Sequence, residues 1–379
     1  MKILYDENIP FGKEAFSTLG EVQSCSGREI TSEMLKGIDL LFVRSVTKVN
    51  SELLEGTNVK FVATATSGSD HIDKDYLSEK YIFFKDAIGS NANSVAEYIT
   101  AALLFLAEKN NFELAGKSIG IIGVGHVGSL VAKKAEALGL KCLLNDPPRK
   151  RAEPDFQGVT FEEAISADIV TFHVPLTFDG PDATFHLLNE KNVTEIFDFE
   201  KSKRILLQTS RGGVAETSAL KLLKNKAALV LDVWENEPNI DSELLLMADI
   251  ATPHIAGYSW TSKVEATNII YKAACEFICR QPSWAPPKLP EGYETPEIFV
   301  KVENLHHEQF LAVVMKQAYD IEADDNRMRE ACSCAEEELG KNFDLLRKNY
   351  PIRLEAHQLK IKAAPEEIKP TLSKLGFQI

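Results

Sequence analysis

Short apolar runs alternate with segments of helical periodicity along most of the chain. Before residue 90, apolar runs of five to seven residues predict β-strands at 2–6, 40–45, 60–66 and 82–86. The segments between these runs are long enough for helices, and strands that alternate with helices are typical of a parallel sheet. The pattern therefore predicts an α/β fold.

A second series of strands follows a long amphipathic segment. Apolar positions at helical spacing predict one helix over 93–109. The strands after it are predicted at 118–124, 141–146, 168–174, 204–209, 227–233 and 250–252. Each gap between strands has roughly the length of a crossover helix, so the series fits the sheet of a Rossmann-type dinucleotide-binding domain.

These patterns divide the chain into three predicted domains. A predicted helix over about 261–280 can lead back to the first strands, so residues 1–92 and 257–285 would form a discontinuous, flavodoxin-like domain. Residues 93–256 would form the Rossmann-type domain. After a proline-rich linker, a small α/β domain is predicted over 286–379, from patterns at 297–303, 307–318, 335–347 and 353–361.

Composition limits the possible partners. With 44% apolar and 26% charged residues, the 379-residue chain is ordinary for soluble globular proteins. Its 42 Lys and Arg against 56 Asp and Glu give a net charge of −14, which disfavours nucleic acid and anionic membranes. No apolar stretch fits a signal peptide or a bilayer span, so we expect a cytoplasmic protein. The six cysteines form no C-x-x-C pair, which predicts reduced thiols and no metal site.

The segment Gly123-Val124-Gly125-His126-Val127-Gly128 follows an apolar strand and opens a helix. The first glycine permits a tight turn, the second lets the backbone approach a pyrophosphate, and the third allows close packing of helix and strand. The helix amino terminus offers unpaired N–H groups to the anion. This context predicts that the six residues, His126 and Val127 included, bind a dinucleotide.

The next predicted strand ends on Asp146, whose carboxylate can accept hydrogen bonds from the adenosine ribose. This position favours NAD, because the carboxylate would repel the 2′-phosphate of NADP. Arg149, Lys150 and Arg151 follow closely, so charge alone leaves NADP open. A solvated basic turn is the alternative interpretation of these three residues.

Three later segments place polar groups just after predicted strands, where ligands bind in such sheets: 209–213, 232–238 and 253–257. Oxidation of a 2-hydroxy acid needs a base for the hydroxyl proton, a cation for the carboxylate and the developing carbonyl, and a carboxylate beside the base. His254, Arg211 and Glu237 fit these three roles, with Glu235 as the alternative to Glu237. The planar fork of Arg211 can bind the carboxylate and the C2 oxygen together.

The glycine loop with its downstream Asp, the Arg-Gly-Gly turn and the segments at 232–238 and 253–257 resemble the D-isomer-specific 2-hydroxyacid dehydrogenase family. Further similarity is to the branch of this family that acts on 4-phospho-D-erythronate in vitamin B6 biosynthesis, through residues 1–10, 43–50, 63–71 and 254–258. The resemblance implies NAD-dependent oxidation at C2 to (R)-3-hydroxy-2-oxo-4-phosphooxybutanoate.

The resemblance also implies roles for single residues and domains. The residues that would contact the substrate are Ser45, Thr66, Arg211 and Tyr258, and those that would line the NAD site are Asp146, Thr209, Ser210, Arg211, Asp232 and Gly257. The discontinuous domain would bind the substrate, and the C-terminal domain would form a homodimer.

Three further substrate-binding residues follow from residue chemistry. Ser67 and Gly68 come just after a predicted strand, where small residues can expose N–H groups to a carboxylate. Arg44 precedes Ser45 on one loop and is our candidate cation for the substrate phosphate, an ion pair with a nearby acid being the alternative. The alternative functions are a 3-phosphoglycerate or other D-2-hydroxyacid dehydrogenase and an NAD-sensing, corepressor-like binding protein.

Overall fold

The computed structural model describes residues 1–196, 204–300 and 305–379. They form two compact units, which we call the first unit, Met1–Asn91 with Ser259–Tyr293, and the second unit, Ala92–Tyr258 with Glu294–Ile379. The second unit holds both the predicted dinucleotide-binding domain and residues Glu294–Ile379, which we call the C-terminal stretch. Division into three domains stays a prediction.

The strands of the described residues are β1 Lys2–Asp6, β2 Glu21–Cys25, β3 Leu40–Val43, β4 Phe61–Thr64, β5 Phe83–Asp86, β6 Ser118–Ile122, β7 Lys141–Asn145, β8 Ile169–Phe172, β9 Arg204–Gln208, β10 Ala227–Leu231, β11 Ile250–Ala251, β12 Glu297–Phe299 and β13 Lys360–Lys362.

The α-helices of the same residues are α1 Gly12–Phe16, α2 Ser51–Leu54, α3 Lys74–Glu79, α4 Ala92–Asn110, α5 His126–Ala137, α6 Pro147–Ala152, α7 Phe161–Ile165, α8 Glu190–Ile196, α9 Thr217–Leu222, α10 Ser242–Met247, α11 Trp260–Phe277, α12 His307–Ala318, α13 Ile321–Ala331, α14 Glu336–Lys348 and α15 Lys369–Leu375.

The sheet of the first unit is parallel throughout, in the order β2-β1-β3-β4-β5. This is the flavodoxin-like strand order. Its core contains Phe16 stacked on Phe42, together with Tyr271 from α11. Because β3 and β4 are parallel neighbours, the residues that follow them reach the same edge of the sheet.

The sheet of the second unit is also parallel, in the order β11-β10-β9-β8-β6-β7. Its strands are apolar on both faces, as expected where helices cover both sides. The carboxyl ends of these strands carry the predicted cofactor and catalytic residues to one edge. Both sheets confirm the predicted α/β class with a Rossmann-type domain.

The C-terminal stretch packs into the core of the second unit. Phe310 of α12 and Leu372 of α15 belong to the same hydrophobic cluster as Leu106 and Val131. Helix α13 covers the edge strand β11, where Asp325 Oδ1 accepts a hydrogen bond from Ala251 N at 2.7 Å. A side chain of the C-terminal stretch thereby satisfies one backbone N–H at the free edge of the sheet.

Two described elements were not predicted. Strand β2 has no apolar run, because it pairs with β1 at the sheet edge and buries little of its own surface. Helix α13 is strongly polar, with two of its acidic residues in the first turn. Part of the predicted strand at 297–303 lies outside the described residues, which resume at 305. None of the described helices is long and apolar enough to cross a membrane.

Candidate active site

The loop between β6 and α5 is shaped by three glycines with different surroundings. Gly123 has a φ of +88°, and a Cβ there would lie 2.6 Å from the carbonyl oxygen of His173. A Cβ on Gly128 would lie 2.0 Å from the carbonyl oxygen of Gly123. Gly125 is exposed, and apart from its chain neighbours no described residue has an atom within 4 Å of where its Cβ would be. The loop is therefore tightly packed at its first and third glycines and open at its second, as the approach of a pyrophosphate requires.

Helix α5 begins at His126 directly after this open glycine. In the described structure no side chain caps the helix at Gly125, so its first N–H groups face outward without that partner. His126 is exposed, whereas Val127 is half-buried against the hydrophobic core. The start of α5 has the polarity and the access that an anionic pyrophosphate needs.

Asp146 follows β7 and holds the same loop from the other side. Its Oδ2 accepts from Val124 N at 2.8 Å, and its Oδ1 accepts from Arg149 N at 2.9 Å. A carboxylate has about four acceptor positions, so these two bonds leave capacity for ribose hydroxyls. The arrangement fits the adenosine end of NAD.

The basic residues after Asp146 are tied to neighbouring groups. Arg149 Nε donates to Glu153 Oε2 at 2.8 Å, and Lys150 Nζ donates to a backbone carbonyl at 2.7 Å. Arg151 forms an ion pair with Asp182. These local partners favour the interpretation of a basic turn over a site for the 2′-phosphate of NADP.

The turn after β9 carries Thr209, Ser210 and Arg211. Gln208, which is fully buried, accepts from Ser210 N at 3.2 Å and from Ser210 Oγ at 2.7 Å, and it donates to Arg211 O at 3.2 Å. A Cβ on Gly212 would lie 1.9 Å from the carbonyl oxygen of Trp234. Backbone contact thus joins the Arg211 turn to the turn that leads to Glu237.

Glu237 and His254 form the pair that the sequence predicted. His254 Nδ1 lies 2.8 Å from Glu237 Oε2, and Glu237 Oε1 accepts from Trp234 N at 2.7 Å. Burial opposes ionisation of Glu237, but the neighbouring imidazole of His254 and these hydrogen bonds lower its pKa below the usual value. The carboxylate is therefore ionised and holds the imidazole in one orientation.

The loop 253–258, which we call the His254 loop, is anchored by Asp232. Oδ1 of Asp232 accepts from Thr252 Oγ1 and from Ile255 N, both at 2.7 Å, and Oδ2 of Asp232 accepts from Ala256 N at 3.0 Å. Burial raises the pKa of Asp232, although these bonds oppose the shift. His254 has a φ of +56°, a strained value for a residue with a side chain, and these bonds help to maintain it.

Glu235 has other partners. His186 Nε2 lies 2.7 Å from Glu235 Oε1, and Thr217 N donates to Glu235 Oε2 at 2.9 Å. Of the two candidate carboxylates, Glu237 is the one bonded to His254.

Two further predicted site residues, Gly257 and Tyr258, lie at the end of the His254 loop. Gly257 and Tyr258 are half-buried, and Tyr258 Oη accepts from Arg347 Nη2 at 3.0 Å. This arginine comes from α14 of the C-terminal stretch, which the sequence left without a chemical role.

In the first unit, the predicted substrate contacts gather at one sheet edge. Ser45 is exposed after β3, and Arg44 Nη1 donates to Asn8 O at 2.6 Å. After β4, Thr66 Oγ1 donates to Gly68 O at 2.7 Å. Hydrogen bonds within the unit thus fix the loops on which these side chains sit.

Two neighbours orient the Thr66 loop. Thr64 Oγ1 lies 2.7 Å from Thr66 Oγ1 and 3.0 Å from His71 Nε2. Ser67 Oγ donates to Asn91 Oδ1 at 2.8 Å. Side-chain hydrogen bonds that involve Thr64 and Asn91 therefore hold the loop in place after β4.

Comparison with known proteins places the chain in a family. Residues 104–256 match the model "D-isomer specific 2-hydroxyacid dehydrogenase, NAD binding domain", and residues 295–376 match "Domain of unknown function (DUF3410)". The chain is 43% identical to the erythronate-4-phosphate dehydrogenase of Tolumonas auensis and 41% identical to that of Proteus mirabilis, covering 100% of this chain and 99% of each relative. The chain belongs to the erythronate-4-phosphate dehydrogenase family.

A solved structure supports the same placement of the fold. The D-lactate dehydrogenase of Aquifex aeolicus, crystallised with NAD and lactic acid, is 27% identical, with a TM-score of 0.59 over 73% of this chain and 95% of that chain. The predicted family, fold class and NAD-binding domain are confirmed. This member of the erythronate-4-phosphate dehydrogenase family is an NAD-dependent dehydrogenase of the 2-hydroxyacid type.

Sequence reasoning missed three residues that shape the site of this family member. His173 follows β8 and presses its carbonyl oxygen against Gly123, and Gln208 ends β9 beneath the Arg211 turn. Each lies at the carboxyl end of a central strand of the sheet, which is the signal that could have found it. Arg347 gave no such signal, since it lies 89 residues from Tyr258 in the chain. Among the described residues, no group of three or more His, Cys, Asp or Glu side chains is placed to hold a metal ion.

Proposed function

We propose that this family member oxidises 4-phospho-D-erythronate at C2 to (R)-3-hydroxy-2-oxo-4-phosphooxybutanoate, with NAD as the oxidant. The observation that carries the proposal is the 2.8 Å contact between His254 and Glu237, next to the Arg211 turn. We choose this substrate because the relatives that match this chain over its full length are erythronate-4-phosphate dehydrogenases.

His254 is the base in this proposal. The Glu237 carboxylate can only accept a hydrogen bond, so the Nδ1 of His254 carries the hydrogen and Nε2 keeps its lone pair. Nε2 then takes the proton of the C2 hydroxyl, and Glu237 stabilises the imidazolium that forms. The reaction thus leaves one proton on His254, while the hydride departs from C2.

The cofactor would be held by the edge of the second sheet. When bound, NAD accepts the hydride from C2. The open backbone at Gly125 and the start of α5 would contact its pyrophosphate, and Asp146 would accept from its ribose. Contacts through Thr209, Ser210, Asp232 and Gly257 belong to the same proposal.

The substrate would be bound mainly through its negative groups. The guanidinium of Arg211 would bond to the carboxylate and the C2 oxygen, where charge develops as the carbonyl forms. Ser45, Thr66 and Tyr258 would donate to or accept from its oxygens, with backbone N–H groups at Ser67 and Gly68. Arg44 would neutralise the phosphate.

The proposal is tested by following NADH formation with 4-phospho-D-erythronate, 3-phosphoglycerate and D-glycerate. We expect the highest kcat/KM with 4-phospho-D-erythronate, and a loss of roughly 10³-fold in kcat for His254→Ala, within the range of general base catalysis. Preference for 3-phosphoglycerate would shift the assignment to the alternative dehydrogenase. Full activity of His254→Ala would remove His254 from the mechanism.

Homodimer formation through the C-terminal stretch, and a cytoplasmic location, are also part of the proposal. Exposed Leu345 on α14 and Ile352 just beyond it are apolar side chains suited to an interface. Sedimentation equilibrium should give a mass in solution of twice the chain mass of 42.1 kDa. The double variant Leu345→Asp with Ile352→Asp should have a lower mass in solution. A wild-type monomer at micromolar concentration would contradict the dimer.

A further inference from the structure

Helix α14 packs directly on the turn that carries Glu237. A Cβ on Gly340 would lie 2.4 Å from Asn239 Oδ1 and 3.4 Å from Pro238 Cγ. Phe343, one helical turn further, is fully buried in the same hydrophobic cluster as Trp234. These contacts fix α14 against the backbone that orients Glu237.

Arg347 lies on this same face of α14, because it follows Phe343 by four residues and Gly340 by seven. Its Nη2 donates to Tyr258 Oη at 3.0 Å, and its guanidinium carbon lies 5.7 Å from the centre of the Tyr258 ring. Its Nε is buried and has no hydrogen-bond partner among the described residues. The C-terminal stretch therefore delivers a cation to the end of the His254 loop.

Arg347 is charged at any physiological pH, and the groups that face it favour that charge. Burial opposes the charge, but Tyr258, Glu237 and Asp344 together raise the pKa of Arg347 above its ordinary value. In return, Arg347 adds to the effect of His254 in lowering the pKa of Glu237 against the opposing effect of burial. The cation and the carboxylate stabilise each other across two distant parts of the chain.

A second arginine of the C-terminal stretch supports the same loop. Arg353 is buried, and its Nη2 donates to Ala256 O at 2.6 Å and to Ser94. The His254 loop is thus bonded to the C-terminal stretch both at Ala256 and at Tyr258. The C-terminal stretch matches a domain of unknown function. Its two arginines contact the loop that carries His254.

We propose that Arg347 is a positioning residue of the active site, which orients the Tyr258 hydroxyl for the substrate and places a cation behind the turn that carries Glu237. The C-terminal stretch then contributes to catalysis as well as to assembly. The part that concerns Tyr258 rests on the proposed function, whereas the part that concerns Glu237 does not.

Steady-state kinetics with 4-phospho-D-erythronate test both parts. Arg347→Gln should raise KM about tenfold, as expected for loss of a charge-assisted hydrogen bond. It should also move the acidic limb of the kcat/KM profile to higher pH by about 0.5, because protonation of the Glu237–His254 pair becomes easier. Arg347→Lys keeps the charge and should restore the limb. Lys348→Gln removes an exposed charge from the next position and should match the wild type.

A titration without substrate separates this proposal from the proposed function. The side-chain carboxyl carbon signal of isotope-labelled Glu237, assigned by its loss in Glu237→Gln, reports on this carboxylate directly. We expect the titration to move to higher pH in Arg347→Gln but to stay in place in Arg347→Lys and Lys348→Gln. Tyr258→Phe should raise KM for the substrate without moving the titration. This variant keeps the test decisive if Arg347→Gln does not fold.

Three results would overturn the proposal: Arg347→Gln titrating as the wild type does, Arg347→Lys moving as far as Arg347→Gln, or Tyr258→Phe moving the titration. If the wild type does not turn over 4-phospho-D-erythronate, the proposed function fails, and the titration still decides the role of Arg347 toward Glu237.

Discussion

The glycine loop and the His254 loop lie at the same edge of one sheet, but opposite means shape them. The glycine loop depends on missing side chains, since a Cβ at Gly123 or Gly128 would collide with backbone oxygens. The His254 loop depends on side chains from elsewhere, with Asp232 accepting three hydrogen bonds from it and from the adjoining Thr252. One loop is set by a local motif and the other by a buried polar network.

This difference has a chemical consequence. A cofactor phosphate is recognised by backbone N–H groups, so the loop that binds it needs access rather than side chains. A base must keep one tautomer and one direction, which needs a fixed acceptor such as Glu237 and a supported backbone. His254 retains its φ of +56° within this hydrogen-bonded support.

Glu237→Gln is the strongest test of the network. We expect kcat to fall by about 100-fold, because a neutral amide stabilises the imidazolium much less than a carboxylate does. NADH formation measures this, with the dissociation constant of NAD expected to stay within about twofold because Glu237 is outside the proposed cofactor contacts.

Glu235→Gln is the matched control, since Glu235 bonds to His186 and Thr217 rather than to His254. An equal loss of kcat in both variants would contradict the separate roles.

The stability of the protein should also depend on the ionisation of Glu237. Because the pKa of folded Glu237 is lowered, its ionised form stabilises the protein above about pH 4.3, and this stabilisation is lost as pH falls through the lowered pKa. The stability difference between wild type and Glu237→Gln should shrink in that acidic range.

Gly125→Ala and Gly128→Ala together test the glycine loop. Gly125 has a φ of −79° and open space around it, so the Cβ of alanine should meet no steric clash there but obstruct the pyrophosphate, raising KM for NAD about tenfold. Gly128→Ala should raise that KM and also lower the free energy of unfolding by about 1–3 kcal/mol through the clash with Gly123. Thermal unfolding and NAD titration distinguish the two. Unchanged NAD binding in Gly125→Ala would mean that the open approach is not used.

Sequence patterns predicted the elements that bury their own apolar side chains. Strand β1 and helix α12 have the predicted bounds, because local periodicity matches the surface each one buries. Strand β2 was missed because backbone pairing with β1 holds it at the edge. Helix α13 was missed because long-range contacts stabilise it, such as Asp325 to Ala251 and the buried Met328.

The site followed the same division. The glycine loop and the Glu237–His254 pair were predicted, since each follows a strand that the sequence reveals. The choice between Glu237 and Glu235 depends on the course of the turn from Trp234, and no local pattern encodes that course. Arg347 needed the packing of α14, which is fixed only when two distant segments meet.

His173 lies between the two loops and gives the smallest expected effect. Burial lowers its pKa to about 3, whereas in an unfolded chain histidine titrates near about 6.5. Between these values the unfolded chain binds a proton that the folded chain does not, so stability falls as the pH is lowered. From pH 7 to 5, wild type should lose about 1–2 kcal/mol more than His173→Asn in urea unfolding. Parallel curves for wild type and His173→Asn would show that His173 is not held neutral by the fold.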